Sequence, residues 1–149
     1  MSLAKGLVKS DYCLPGDITL TRRNIQHLSA QQQQGFKVSD DNFAAVSDSS
    51  VIILAVLPQQ LNILLDKIAG AIDPAKHLVI SVISGVSCAD IRAKLGNDVQ
   101  VVRAMPNTAI AIGESMTCIA SDNAEAENIA EVTKMFKTVG EVIKINEDL

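Results

Sequence analysis

Aromatic residues are almost missing from this chain: one Tyr, three Phe and no Trp, 3% of 149 residues. Any core must therefore be aliphatic, and the supply is ample, since 48% of positions are hydrophobic. A chain of this length and hydrophobicity can bury a substantial core, which excludes intrinsic disorder. No apolar run approaches the roughly 18 residues that a membrane span needs, so no integral membrane protein is expected. Basic residues are outnumbered, 13 Lys and Arg against 17 Asp and Glu, for a net charge of -4. That balance argues against nucleic acid as the main partner. His is nearly absent: His27 and His77 are far apart, and no His/Cys cluster has metal-ligand spacing, so no metal site is expected. Cys13, Cys88 and Cys118 are odd in number and scattered. They read as reduced, mostly buried small hydrophobes of a cytoplasmic protein. Met1-Ser2-Leu3 runs into Ala4–Lys9 without the apolar stretch or cleavage site of a secretory leader. The opening reads as the later part of a helix already under way.

What is present is alternation. Short apolar runs separated by helix-like segments predict α/β architecture with a mostly parallel sheet. After a helix over Leu3–Ser10 and a turn at Leu14–Asp17, a brief strand is expected at Ile18–Thr21. Polar Arg23–Gln34 reads as a solvated helix ended by Gly35, followed by a strand at Phe36–Val38 and a helical turn in Asp40–Val46. Val51–Val56 is apolar on both faces, as a central parallel strand covered by helices must be. Gln60–Ala71 is amphipathic, with Leu61, Leu64, Leu65 and Ile68 on one face. Further strands are expected at Leu78–Ile83, Gln100–Ala104, Met116–Ala120 and Glu141–Ile145, with helices at Cys88–Leu95 and Ala124–Val139. No linker or repeat interrupts the order, so 1–149 reads as one doubly wound domain.

Ligands of such sheets bind beyond the carboxyl ends of the strands. The loops to inspect are Arg22-Arg23-Asn24, Leu57-Pro58-Gln59, Ser84-Gly85-Val86 and Met105 to Thr108. Only the first carries charge. In a Rossmann domain, a carboxylate after an early strand accepts from the ribose of NAD, whereas Arg suits the 2′-phosphate of NADP. Arg22 and Arg23 follow a strand with no carboxylate, so two readings stand: a solvent-facing helix turn or a phosphate clamp. No G-x-G-x-x-G turn occurs anywhere. Ser84 has no His near it in sequence to activate it and reads as a turn residue. Cys88 lies near a helix start, where the dipole lowers a thiol pKa, yet lacks a neighbouring cation and reads as packing. Met105-Pro106-Asn107-Thr108 is either a plain turn or a rigid wall offering short hydrogen-bonding groups to a ligand.

Val101-Val102-Arg103-Ala104-Met105-Pro106-Asn107-Thr108-Ala109, continuing through Gly113-Glu114-Ser115-Met116-Thr117, resembles the pyrroline-5-carboxylate reductase family. That family has Arg-x-Met-Pro-Asn-Thr-Pro, then Gly-Glu-Gly and a Thr. Leu54-Ala55-Val56-Leu57-Pro58-Gln59 resembles its Leu-Ala-Val-Lys-Pro-Gln, and Ser81–Ser87 its Ser-x-x-Ala-Gly-Val-Ser/Thr. Ala4-Lys5-Gly6-Leu7 is similar to the helix that follows the family's Gly-rich loop. The resemblance implies a Rossmann-like cofactor domain of an NADPH-dependent reductase. Its reaction would be reduction of the C=N bond of 1-pyrroline-5-carboxylate, a small-molecule imine, to proline. A related NADP-linked imine or keto-acid reductase and a non-catalytic nucleotide-binding or interaction module are the alternatives.

Carried over, Arg22, Arg23 and Asn24 would meet the 2′-phosphate, and Asn42, in the loop after the second of the early strands, the adenine ribose. Ala55, Val56 and Pro58 would line NADP(H), with Ser84, Gly85 and Val86 toward the nicotinamide. Met105, Pro106, Asn107 and Thr108 would separate nicotinamide from substrate, Asn107 touching both. The resemblance also implies a homo-oligomer paired through a C-terminal helical domain. That domain, the first strand and the Gly-rich loop are not matched here, because Ile145–Leu149 is similar to the segment just before the helical domain. The 149 residues alone are therefore expected to be inactive. Leu57 stands where the family has Lys, Ala109 where it has Pro, and Ser84 where it has Ala.

Overall fold

The protein is described by a computed structural model that covers residues 2–148. Met1 and Leu149 lie outside the described residues, and so do the two ends of the expected 1–149 domain. Aliphatic segments bounded by Gly, Pro and Asp become strands, because β-branched side chains pack on a pleated surface and turn residues stop the run. Strands β1 (Thr19–Thr21), β2 (Lys37–Ser39), β3 (Val51–Leu54), β4 (Leu78–Ser81), β5 (Gln100–Met105), β6 (Ser115–Ala120) and β7 (Gly140–Lys144) alternate with helices. The helices are α1 (Ser2–Lys9), α2 (Ser29–Gln33), α3 (Asn42–Ser47), α4 (Leu61–Ile68), α5 (Cys88–Leu95) and α6 (Ala126–Lys137).

Five strands form one sheet in the order β3-β4-β5-β6-β7. Every pairing is parallel except β5 with β6, where Arg103 faces Ala120 and Met105 faces Cys118. Period-two alternation sends side chains to two cores. Ile52, Leu54, Val79 and Val101 pack under α4 and α5, against Leu61, Leu65, Ile68 and Ile91. Ile80, Val102, Ala104 and Ile119 pack under α1 and α6, against Leu7, Val132, Met135 and Phe136. The mostly parallel, helix-flanked Rossmann-like class read from the sequence is the observed one.

The sheet is divided. β1 and β2 form a separate parallel pair, from Thr19 opposite Lys37 to Thr21 opposite Ser39, and among the described residues no ladder joins β1 to β3. This corrects the reading of Val51–Val56 as a central strand. β3 ends at Leu54, pairs among the described residues only with β4, and leaves Val51 and Ile53 each 37% exposed. An apolar run does not reveal whether a neighbour exists to cover its second face. The polar segment Arg23–Gln34 is likewise not one helix. The Asn24 Oδ1 accepts from the Gln26 N–H at 3.0 Å and starts a tight 3-10 turn over Ile25–Leu28, which then relaxes into α2. Of the three thiols only Cys88 is buried; Cys13 and Cys118 are half-buried, so the expectation of mostly buried cysteines is corrected too.

Two local devices fix the larger sheet. Gly140 has φ +147°, and a Cβ there would lie 1.9 Å from the Ser115 carbonyl oxygen, so the β6–β7 register closes on a glycine. His77, at the entry to β4, accepts from the Asp73 N–H at Nδ1 (2.8 Å), which makes Nε2 the donor to the Val46 carbonyl at 2.9 Å. Both ring nitrogens are engaged in structure at the end of β4 opposite Ser84.

Candidate functional site

Because β3, β4 and β5 are adjacent and parallel, their carboxyl ends deliver three loops in a row. The Val82 N–H donates to the Leu54 carbonyl at 3.1 Å and ties the first two of them together. In the first, Ala55 is exposed, Val56 packs against the core, and Pro58 opens a 3-10 turn whose Gln60 Oε1 accepts from the Leu57 N–H at 3.3 Å. In the second, Ser84 and Gly85 are exposed and Val86 is half-buried. Gly85 has φ +78° with open space around it, the left-handed turn that only glycine adopts without strain. Ser87 then caps α5 by accepting from the Asp90 N–H at 3.1 Å.

In the third loop, Met105 and Pro106 are half-buried and Asn107 and Thr108 exposed. The Asn107 Oδ1 accepts from the Ala109 N–H at 3.1 Å. The Asn107 N–H donates to the Ser115 Oγ at 3.3 Å, which pairs with the Thr117 Oγ at 3.3 Å inside the protein. Ser115 and Thr117 are buried supports that the sequence reading missed. Two hydroxyls alternating along an otherwise apolar strand were the available signal. Between α4 and α5, below these loops, runs a groove of about 370 Å³ whose lining includes Pro58, Leu61, Leu65, Val86, Asp90 and Lys94.

The fourth loop belongs to the smaller sheet. The Arg22 N–H donates to the Ser39 carbonyl at 3.1 Å, so Arg22 and Arg23 leave β1 at its carboxyl end. Both are exposed. The ion pairs among the described residues are Arg92–Asp122, Lys94–Asp66 and Arg103–Glu147, so neither guanidinium has a carboxylate partner. Asn24 spends its Oδ1 on the 3-10 turn. Asn42 is not in a loop: it opens α3, half-buried, directly after Asp41, whose Oδ1 accepts from the Ala44 N–H and caps the helix. Among the described residues no hydrogen bond joins this loop to the other three.

Electrostatics set apart two further places. The Cys88 thiol, at the first position of α5, is pushed up to about 12, mainly by burial and next by the Glu147 carboxylate. Burial thus outweighs the helix dipole, and Cys88 is a packing residue. The Arg92 guanidinium holds Asp122 below the usual carboxylate range through a two-pronged contact at 2.5 and 2.9 Å. Ser84 has no imidazole beside it, since His77 lies across the sheet. The four loops therefore offer exposed cations and short polar groups rather than an activated nucleophile. Among the described residues no group of three His, Cys, Asp or Glu could hold a metal ion.

A family profile described as NADP oxidoreductase, coenzyme F420-dependent, matches residues 1–85. Two Dictyostelium discoideum proteins are similar over 99% of this chain. Pyrroline-5-carboxylate reductase 1 is 38% identical and covered over 29% of its own length; pyrroline-5-carboxylate reductase 2 is 41% identical and covered over 54%. The chain thus spans about half or less of these relatives. Among solved structures, a pyrroline-5-carboxylate reductase from Coxiella burnetii superposes on 97% of this chain and 54% of its own, with a TM-score of 0.91 at 27% identity. The Plasmodium falciparum pyrroline carboxylate reductase with NADP bound shares the fold, at a TM-score of 0.86, 20% identity, 98% of this chain and 53% of its own.

Proposed function

The chain belongs to the NADP oxidoreductase, coenzyme F420-dependent family, and from that premise we propose that it is the cofactor-binding part of a pyrroline-5-carboxylate reductase. The observation that carries this reading is the unpaired, exposed Arg22-Arg23 pair at the carboxyl end of β1, beside a row of uncharged loops. Two guanidiniums with no carboxylate partner among the described residues fit a phosphate monoester such as the 2′-phosphate of NADP. Asn24 and Asn42 flank the adenosine end. Ala55, Val56 and Pro58 form an apolar floor, and Ser84, Gly85 and Val86 approach the nicotinamide half. Met105, Pro106, Asn107 and Thr108, held from behind by Ser115 and Thr117, wall the reacting centre. NADPH, when bound, supplies the hydride for the C=N bond of 1-pyrroline-5-carboxylate, giving L-proline. The protein's own contribution is orientation and exclusion of water. The imine-binding and subunit-pairing residues belong to the part of the relatives that this chain does not span, in a cytoplasmic homo-oligomer.

Titrating the chain with NADPH and with NADH, and following nucleotide fluorescence, tests the reductase reading. NADPH should bind more tightly, by roughly 1–3 kcal/mol for each charge-assisted bond to the 2′-phosphate. Equal affinities would overturn the assignment.

A further inference from the structure

After β7 the chain turns back across the sheet. The Ile145 N–H donates to the Ile119 carbonyl at 2.9 Å and continues the β6–β7 ladder by one bond. Two residues later, Glu147 points inward. Its Oε1 accepts from the Cys88 N–H at 2.7 Å, one of the unpaired amides that open α5. Its Oε2 lies 3.6 Å from the Arg103 Nη1, and the two side chains are only 12% and 14% exposed. Among the described residues, neither the Arg103 Nε nor the Glu147 Oε2 has a hydrogen-bond partner. The carboxylate is thus held by one short bond and one incomplete charge pairing, so the clasp is less than fully satisfied.

The position of this contact matters more than its strength. α5 begins directly after Ser84–Ser87, and Arg103 lies two residues before Met105. One carboxylate therefore bridges the roots of two loops of the candidate site. Under it lies Cys88, fully buried, its thiol 3.5 Å from the Val101 carbonyl.

We infer that residues 145–148 form a releasable strap, clasped by Glu147 to the first turn of α5 and to Arg103, that shields Cys88 and sets the spacing of the Ser84–Ser87 and Met105–Thr108 loops. The inference does not depend on the identity of the cofactor or substrate. The charge of Glu147 also contributes to the raised Cys88 thiol, as expected for a carboxylate seated against it.

The three cysteines supply the test, because each sits in a different place and all are free. The 149-residue chain, its E147A variant and its E147Q variant are pulsed with N-ethylmaleimide, and labelling at each Cys is followed by mass spectrometry. E147A should speed labelling of Cys88 about ten- to hundredfold, the effect of losing one charge-assisted hydrogen bond, with Cys13 and Cys118 unchanged. E147Q keeps an acceptor without the charge and should fall between; equal acceleration by E147A and E147Q would trace the effect to the lost charge beside the thiol rather than to a strap, and would overturn the proposal. Equal acceleration at all three cysteines would mean that Glu147 only supports global stability, and no acceleration at Cys88 would mean no strap; either result overturns the proposal.

Discussion

All four residues of β4 are buried, whereas β1 and β2 have no fully buried residue between them. The five-stranded sheet carries helices on both faces and two aliphatic cores. The two-stranded sheet is a three-residue ladder beside them. Yet the exposed cations of the candidate site stand on the smaller sheet, and the uncharged loops on the larger. Rigidity and charge are thus assigned to different regions. A wall that must hold reacting groups in place is rooted in packed strands, and a surface that must discriminate a phosphate needs exposure and charge more than burial.

The largest contrast should appear in stability. Truncating the fully buried Phe136 to Ala should cost about 3–5 kcal/mol in urea unfolding, because a cavity opens against β4 and β5. Leu20→Ala, at a half-buried position of β1, should cost no more than about 1 kcal/mol. Comparable losses would mean that the small sheet is part of the same cooperative core.

Function should reverse the order. Replacing Arg22 and Arg23 together by Ala should abolish the preference for NADPH over NADH, with stability unchanged within about 0.5 kcal/mol. A preference that survives would move the phosphate contact elsewhere.

A smaller effect is confined to the larger sheet. The Cys88 thiol is raised by folding from 9.0 to about 12, so the folded protein keeps its proton where the unfolded chain loses it. This contribution is complete below pH 9 and is lost as pH rises from 9 toward 12, and C88A should flatten that limb of the stability profile. Asp122 acts in the opposite sense and more weakly. Its lowered carboxyl stabilises the fold above the usual carboxylate range and ceases to do so as pH falls through its folded value. D122N should remove that acid limb; an unaltered profile would show that the Arg92 contact contributes nothing.

Much of the larger sheet was legible because local signals and packing agree there. Leu61, Leu65 and Ile68 repeat at helical spacing and are buried as a stripe, and β5 and β6 each start and stop within one or two residues of Gly, Pro or Asp. Where pairing decides, the sequence said less. Val51–Ile53 carries the same apolar pattern whether or not a strand lies on its open side. Asn42 looked like a loop residue because the Asp41 cap makes its contact only once α3 has formed. Of the candidate site, the loops could be found from strand ends alone. Its supports could not: Ser115 braces Asn107 across a turn, and Glu147 reaches Cys88 across 59 positions of chain. The alternating hydroxyls of Ser115 and Thr117 mark buried polar positions without naming their partner, and the Glu147 contact has no periodicity at all.

The central claim is that two separately hydrogen-bonded sheets bind one dinucleotide. Amide chemical shifts of the labelled chain, recorded while NADPH is added, test it most directly. The account predicts that Arg22–Asn24 and Asn42 shift together with Ala55–Val56, Ser84–Val86 and Asn107, all with the same midpoint. Shifts confined to either sheet, or two sets of shifts with different midpoints, would contradict it.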